Sequence, residues 1–226
     1  MAMATPVGYQ TFCPVGAALN VVGERWALLV VRDLLLGPRR YSELLSGLGG
    51  IGTDILAARL RTLQERGVVR QVGEGRARLY ELTEAGQGLQ PVLTALARWG
   101  AERLRLPDDL SQIPARVPLT SLLLGPSSLP RRASGVYEIR VDDEVVRVTV
   151  ANGHLFPSPQ ATPHTTIELT RPGLRAFVLG ARVEDVERAG DMSIQGDRRR
   201  GMALLTAVTG PPLLTGLRER LQTAGA

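Results

Sequence analysis

From Pro14 to Leu106 the apolar residues of this 226-residue chain keep helical spacing, lose it once for two short alternating stretches, and then regain it. The first helix is expected over Val15–Val22. The second, Arg25–Leu36, has an apolar face of Trp26, Leu29, Val30 and Leu34 and ends at Gly37-Pro38. A brief helix follows at Tyr41–Leu48, then the glycine-rich turn Gly49-Gly50-Ile51-Gly52. The next helix, Thr53–Arg66, stops at Gly67. Val68–Val72 is β-branched and loosely alternating, Gly73-Glu74-Gly75 is a turn, and Arg76–Leu82 pairs back as a second strand. Thr83 caps a final helix, Glu84–Leu104, whose apolar stripe is Leu89, Val92, Leu93, Leu96 and Trp99.

Helices, a hairpin and a closing helix in this order give a mainly α, winged helix-turn-helix domain, placed at 1–106. A change of texture follows at 107–134, where five prolines fall among Ser and Gly. This reads as a Pro-rich linker with one short helix, Pro118–Leu124. Residues 135–226 predict an α+β domain with an antiparallel sheet. Its strands are expected at Val136–Arg140, Glu144–Val150, His154–Phe156, Thr165–Leu169 and Met192–Gln195. Its helices are expected at Pro172–Val178, Val183–Ala189, Arg198–Val208 and Leu213–Gln222.

In the helix at Thr53–Arg66, Leu56, Leu60 and Leu63 recur at i, i+4 and i+7 and form a buried stripe. The opposite face then carries Asp54, Ala58, Arg61 and Glu65, with Thr53 and Ala57 nearer the flanks. Small and short polar residues there allow close approach to base edges in a DNA major groove. Arg59 lies at the edge, where its head would reach a phosphate. Arg39, Arg40 and Ser42 begin the preceding helix, and Arg76 and Arg78 flank the hairpin tip, where a wing would reach the minor groove. The charge supports this polarity. Up to Leu106 there are 13 arginines against 9 acids, and beyond it 14 against 13. A double-stranded DNA operator is the expected partner.

Several classes are set aside. One cysteine, Cys13, permits no intrachain disulfide and no Cys-rich zinc site, and His154 and His164 have no ligand partners at metal spacing. Nucleophile-elbow, P-loop, zincin and dinucleotide-binding patterns do not occur, so neither an enzyme nor a cofactor is expected. No secretion signal and no apolar run of about 18 residues is seen, which predicts a cytoplasmic protein with no membrane partner.

Cys13-Pro14-Val15, Gly23-Glu24-Arg25-Trp26, Arg32-Asp33-Leu34 and Gly37 through Leu44 carry a resemblance, together with Ile51–Leu63, Tyr80 through Gly86 and Trp99-Gly100. In these segments the chain resembles the HxlR family of bacterial winged-helix regulators. The resemblance implies a homodimer on a pseudo-palindromic operator, built through the first helix (Val15, Leu19) and the last (Leu89, Val92, Leu93, Leu96, Trp99). An apolar stripe this wide also exceeds what a domain of about 90 residues buries internally. Two departures are Gly52, where the family has Ser, and Glu24, where it has Lys. Members of the family also sense oxidants through a cysteine at the position of Cys13, which implies thiol-based redox control as an alternative.

The run Gly190 through Asp197, the helix after it, and the strands near Val145 and Thr166 are similar to sterol-carrier-protein-like domains. That likeness, over Val136–Leu221, implies a hydrophobic or lipid-like ligand in a pocket. The wall would comprise Val146, Val148, Leu155, Phe156, Ile167, Leu169, Phe177, Ile194, Leu204 and Leu205. A lipid carrier whose winged helix makes only protein contacts is the second alternative.

Overall fold

The structure, a computed structural model, describes residues 12–101, 103, 113–124 and 128–209, with the backbone alone at 76, 101 and 124. The helix expected at Leu213–Gln222 lies outside the described residues. The described residues form two compact units, one drawn from those up to Leu34 together with Pro38–Gly88, the other from Leu35–Gly37 and those from Leu89 onward.

The first unit contains α1 (Pro14–Val22), α2 (Ala27–Leu34), α3 (Tyr41–Gly47), α4 (Thr53–Glu65), β1 (Val69–Val72), β2 (Leu79–Leu82) and α5 (Glu84–Gln87). Its core is the apolar stripe of each helix: Val30, Val31 and Leu34 from α2, Leu44 from α3, and Leu56, Leu60 and Leu63 from α4 are all buried. Each such side chain contributes about 1.5–3 kcal/mol on leaving water. Helix α2 begins two residues later than its sequence pattern suggests. Trp26 takes φ 79, a left-handed value rare for a bulky residue, so the helix cannot run back through it. Its inward face is also rotated, since Leu29 is exposed and Val31 takes the buried place. Gly67 supplies φ 68 just past α4, as a helix stop requires.

The long helix expected over Glu84–Leu104 is broken. α5 ends at Gly88, and α6 (Gln90–Ala101) starts anew within the second unit. Pro91 accounts for the break. It has no N–H to bond the carbonyl four residues back, and its ring would collide with that carbonyl. The compact units divide at Gly88, within the stretch of sequence read as one helix.

The second unit adds α7 (Arg116–Leu124), β3 (Gly135–Val141), β4 (Glu144–Ala151), β5 (His154–Pro157), β6 (Thr165–Leu169), α8 (Arg171–Val178), α9 (Val183–Arg188), β7 (Met192–Gly196) and α10 (Arg198–Thr209). The strands form one sheet in the order β5-β4-β3-β6-β7. Three pairings are antiparallel, as expected, but β3 and β6 run parallel, with Ile139 opposite Ile167, so the sheet is mixed. A parallel neighbour needs a crossover connection, and residues 142–164 supply it through β4 and β5.

The Pro-rich stretch is not a free spacer where it is described. Leu119, Leu122 and Leu123 on α7, with Leu129 and Ala133 after it, belong to the core of the second unit. The spacing i, i+3, i+4 gives α7 an apolar face, and Pro118 sits in its first turn, where the missing N–H costs nothing. An ion pair from Arg116 Nη1 to Glu144 Oε1, 2.6 Å, links α7 to β4. On the opposite sheet face Glu138 is buried beneath two arginines. Arg147 donates from Nε at 2.5 Å and Arg140 from Nε at 2.8 Å. Those donors hold the Glu138 carboxyl below the usual carboxylate range.

Candidate nucleic-acid interface

In the first unit one short contact ties α4 to α3, and another closes the start of α3. The Tyr41 hydroxyl donates to the Thr53 carbonyl at 2.7 Å, joining the start of one helix to the start of the other. At the beginning of α3, the Arg40 backbone N–H donates to the Glu43 carboxylate at 2.7 Å, satisfying a donor the helix cannot pair itself. Neither Tyr41 nor Glu43 was singled out from sequence, although a Glu three residues past a helix start is a readable signal.

Helix α4 divides cleanly. Leu56, Leu60 and Leu63 are at most 1% exposed, whereas Thr53, Asp54, Ala57, Ala58 and Arg61 face solvent. Ile55, absent from the sequence-derived set, is also exposed on this helix. Arg61 makes no ion pair among the described residues. Arg40 and Ser42 are likewise exposed at the start of α3.

Two of the expected phosphate-binding arginines are placed differently. The Arg59 side chain is only 16% exposed, and its Nη2 lies 3.1 Å from Glu24 Oε2. Being one position before Leu60, it falls on the flank of the buried stripe, and its Nε is buried with no hydrogen-bond partner. Arg39 is equally covered and leans toward Glu43 at 4.0 Å. Its backbone explains this, because Arg39 N–H and C=O pair with Tyr80 at 2.9 and 2.7 Å and add a bridge to the edge of the hairpin. The main chain of Arg39 is thereby held beside the hairpin.

The wing is β1 paired to β2, with Val69 opposite Leu82 and Val72 opposite Leu79. Arg70 and Glu81 form a cross-strand ion pair at 2.7 Å, and Gln71 Nε2 donates to the Tyr80 hydroxyl at 2.8 Å. The second strand is shorter than expected, because Gly75–Ala77 forms a 3-10 turn at the tip. The backbone of Arg76 lies within that turn, and its side chain falls outside the described residues. Arg78 follows the turn and is exposed.

The remaining expected residues occupy separate places. Cys13 is exposed immediately before α1. On α1, Val15 and Leu19 are exposed. On α6, Val92, Leu96 and Trp99 are exposed, while Leu93 is buried and Leu89 is partly covered. In the second unit, Val146, Val148, Leu155, Ile167, Leu169, Phe177, Leu204 and Leu205 share one core, with Ile194 packed against it. Phe156 does not join them and is 45% exposed. Neighbours on a strand point to opposite faces, so Leu155 and Phe156 cannot line the same cavity.

A family model described as HxlR-like helix-turn-helix matches residues 21–107. An uncharacterized HTH-type transcriptional regulator of Mycobacterium tuberculosis is 41% identical over 97 residues, which are 42% of this chain and 61% of that protein. The chain thus spans about three-fifths of the length of this mycobacterial relative. The HTH-type transcriptional regulator YodB of Bacillus subtilis is 35% identical over 104 residues, 44% of this chain and 92% of YodB. The solved reduced form of YodB is similar at 28% identity with a TM-score of 0.37, over 43% of this chain and 100% of that one.

Proposed function

This chain belongs to the HxlR-like helix-turn-helix family of transcriptional regulators, and on that premise we propose that it binds double-stranded operator DNA with α4 in the major groove. The observation that carries the reading is the division of α4, with three leucines inward and Thr53, Asp54, Ala58 and Arg61 open. Arg61 is the donor to a guanine edge or a phosphate, and exposed Ile55 is suited to a thymine methyl. Arg40 and Ser42 contact phosphate, and Arg78 serves the wing. Footprinting on DNA flanking the gene, followed by anisotropy titrations, tests this. Two half-sites about one helical turn apart are expected. Affinity should fall at least about tenfold between 50 and 200 mM salt. Binding indifferent to salt would end the proposal.

A homodimer presents two such helices at once. Val15 and Leu19 on α1, and Val92, Leu96 and Trp99 on α6, are large apolar residues left open in the single chain. Sedimentation at micromolar concentration should report a dimer, and Leu96→Glu with Trp99→Glu should yield a monomer. A wild-type monomer under those conditions removes this part of the reading.

The second unit is proposed to hold a hydrophobic ligand within the core that includes Val148, Phe177 and Leu204. Saturable uptake of a fluorescent fatty-acyl probe by the full chain is the expected result. No uptake discards the ligand, while uptake by a chain that ignores DNA transfers the assignment to a lipid carrier.

A further inference from the structure

Two arginine-bearing segments meet in the second unit. One is a 3-10 turn, Arg131–Ala133, and the other is the first turn of α10, Arg198–Arg200. Tyr137, fully buried on β3, ties them together. Its hydroxyl donates to the Ala133 carbonyl at 2.6 Å and lies 3.3 Å from the Arg200 carbonyl. Burial pushes the phenol up to about 12, so the proton that makes this tie stays in place at neutral pH. Gly135 lies alongside, where a Cβ would stand 3.6 Å from Arg200 Cδ and Nη1. The fold therefore sets both groups of arginines at one corner.

All five arginines are exposed. Arg198 is paired with Glu187 and Arg200 with Asp197. Among the described residues Arg131, Arg132 and Arg199 make no ion pair, so this corner presents three guanidinium groups with no acidic partner among those residues. Guanidinium is weakly hydrated, and its planar fork matches two phosphate oxygens. None of the exposed large hydrophobic residues lies on either segment, which disfavours insertion into a lipid surface.

We propose that this corner is a second phosphate-contact surface, gripping the backbone of the same DNA molecule whose bases α4 reads. The inference rests on the DNA-binding reading above. Covalent linkage to a DNA-bound unit gives the corner an effective phosphate concentration in about the millimolar range, enough for contacts that would be weak alone. Backbone contacts carry no sequence information, so the corner should add affinity and leave specificity unchanged.

The test uses the full chain with Arg131→Gln, Arg132→Gln and Arg199→Gln. It is titrated on the wild-type footprint extended by one helical turn at each end. The slope of log affinity against log salt should fall by about 0.9 per lost phosphate contact, hence by two to three. The preference for operator over scrambled duplex should stay the same. The corresponding triple Lys variant should keep most of the slope, and Arg199→Gln alone should lower it by about one, so a folding defect in the triple Gln variant does not decide the outcome. A slope unchanged in both Gln variants, with DNA binding intact, overturns this inference alone. Loss of binding to phosphatidylserine vesicles with an unaltered DNA slope would assign the corner to lipid and also overturn it. Wild-type protein that ignores DNA altogether defeats the operator reading itself.

Discussion

Arg61→Ala is expected to lower operator affinity by about 5- to 160-fold, the range that follows from losing a base-edge contact of about 1–3 kcal/mol. Arg59→Ala should do less to binding, although sequence spacing places Arg61 on the DNA face of α4 and Arg59 at its edge with its head toward phosphate. The difference lies in where each side chain sits. Arg61 is open to solvent, whereas Arg59 spends its guanidinium on Glu24 at 3.1 Å and its stem on the flank of the core. Arg59→Ala therefore removes packing and leaves Glu24 alone, which is an effect on stability. The same logic separates Arg40, exposed at the start of α3, from Arg39, fixed beside Tyr80 and Glu43. Anisotropy titrations on operator and scrambled duplexes, with thermal unfolding of each variant, separate the two kinds of loss. A larger binding loss for Arg59→Ala than for Arg61→Ala would show that this assignment of the arginines is inverted. If Arg61 meets phosphate and not guanine, its loss should be equal on both duplexes, with a salt slope lower by about one.

These distinctions mark where reading from sequence stops. Leucine spacing was enough to orient α4, because a buried stripe at i, i+4, i+7 admits one rotation of the helix. The edge of such a stripe is ambiguous, and Arg59 occupies it. Whether an edge arginine reaches outward depends on what lies across from it, and Glu24 is 35 residues away in sequence. The placement of Arg39 is hidden from local pattern for a related reason, since its pairing with Tyr80 is a long-range backbone bridge. Pro91 was legible and outweighed by the apolar periodicity around it; its missing N–H should have split the helix. Phe156 needed only strict alternation to be placed outside. The core of the second unit was largely readable, because β-branched alternation at Val146, Val148 and Val150 fixes a face. The parallel pairing of β3 with β6 was not, since strand order is set by crossovers and not by any one strand.

Gly86→Ala should destabilise the first unit by about 1–3 kcal/mol, the usual cost of forcing a methyl into a filled space. Helix propensity alone argues the reverse, since alanine is favoured over glycine inside a helix by about 0.5–1 kcal/mol. Packing decides the sign. A Cβ at Gly86 would stand 2.2 Å from the Val68 carbonyl oxygen and 3.2 Å from the Leu82 Cβ, and the carbonyl is backbone that cannot swing aside. α5 would have to lift from the base of the hairpin. Lifting it strains the bond from Thr83 N–H to Val68, 3.0 Å, and the cap in which Thr83 Oγ1 accepts from Gly86 N–H at 3.2 Å. For a domain of this size each kcal/mol lowers Tm by about 4–8 °C. Gly100→Ala on α6 is the matched control, because nothing lies within 4 Å of its Cβ position and propensity should then act alone. Thermal unfolding of the two variants should move in opposite directions. Equal stability of Gly86→Ala and wild type would mean that α5 does not rest on the hairpin at this distance. A destabilised Gly86→Ala that still binds operator with an unchanged salt slope would separate the role of α5 in folding from any role in setting the wing against DNA.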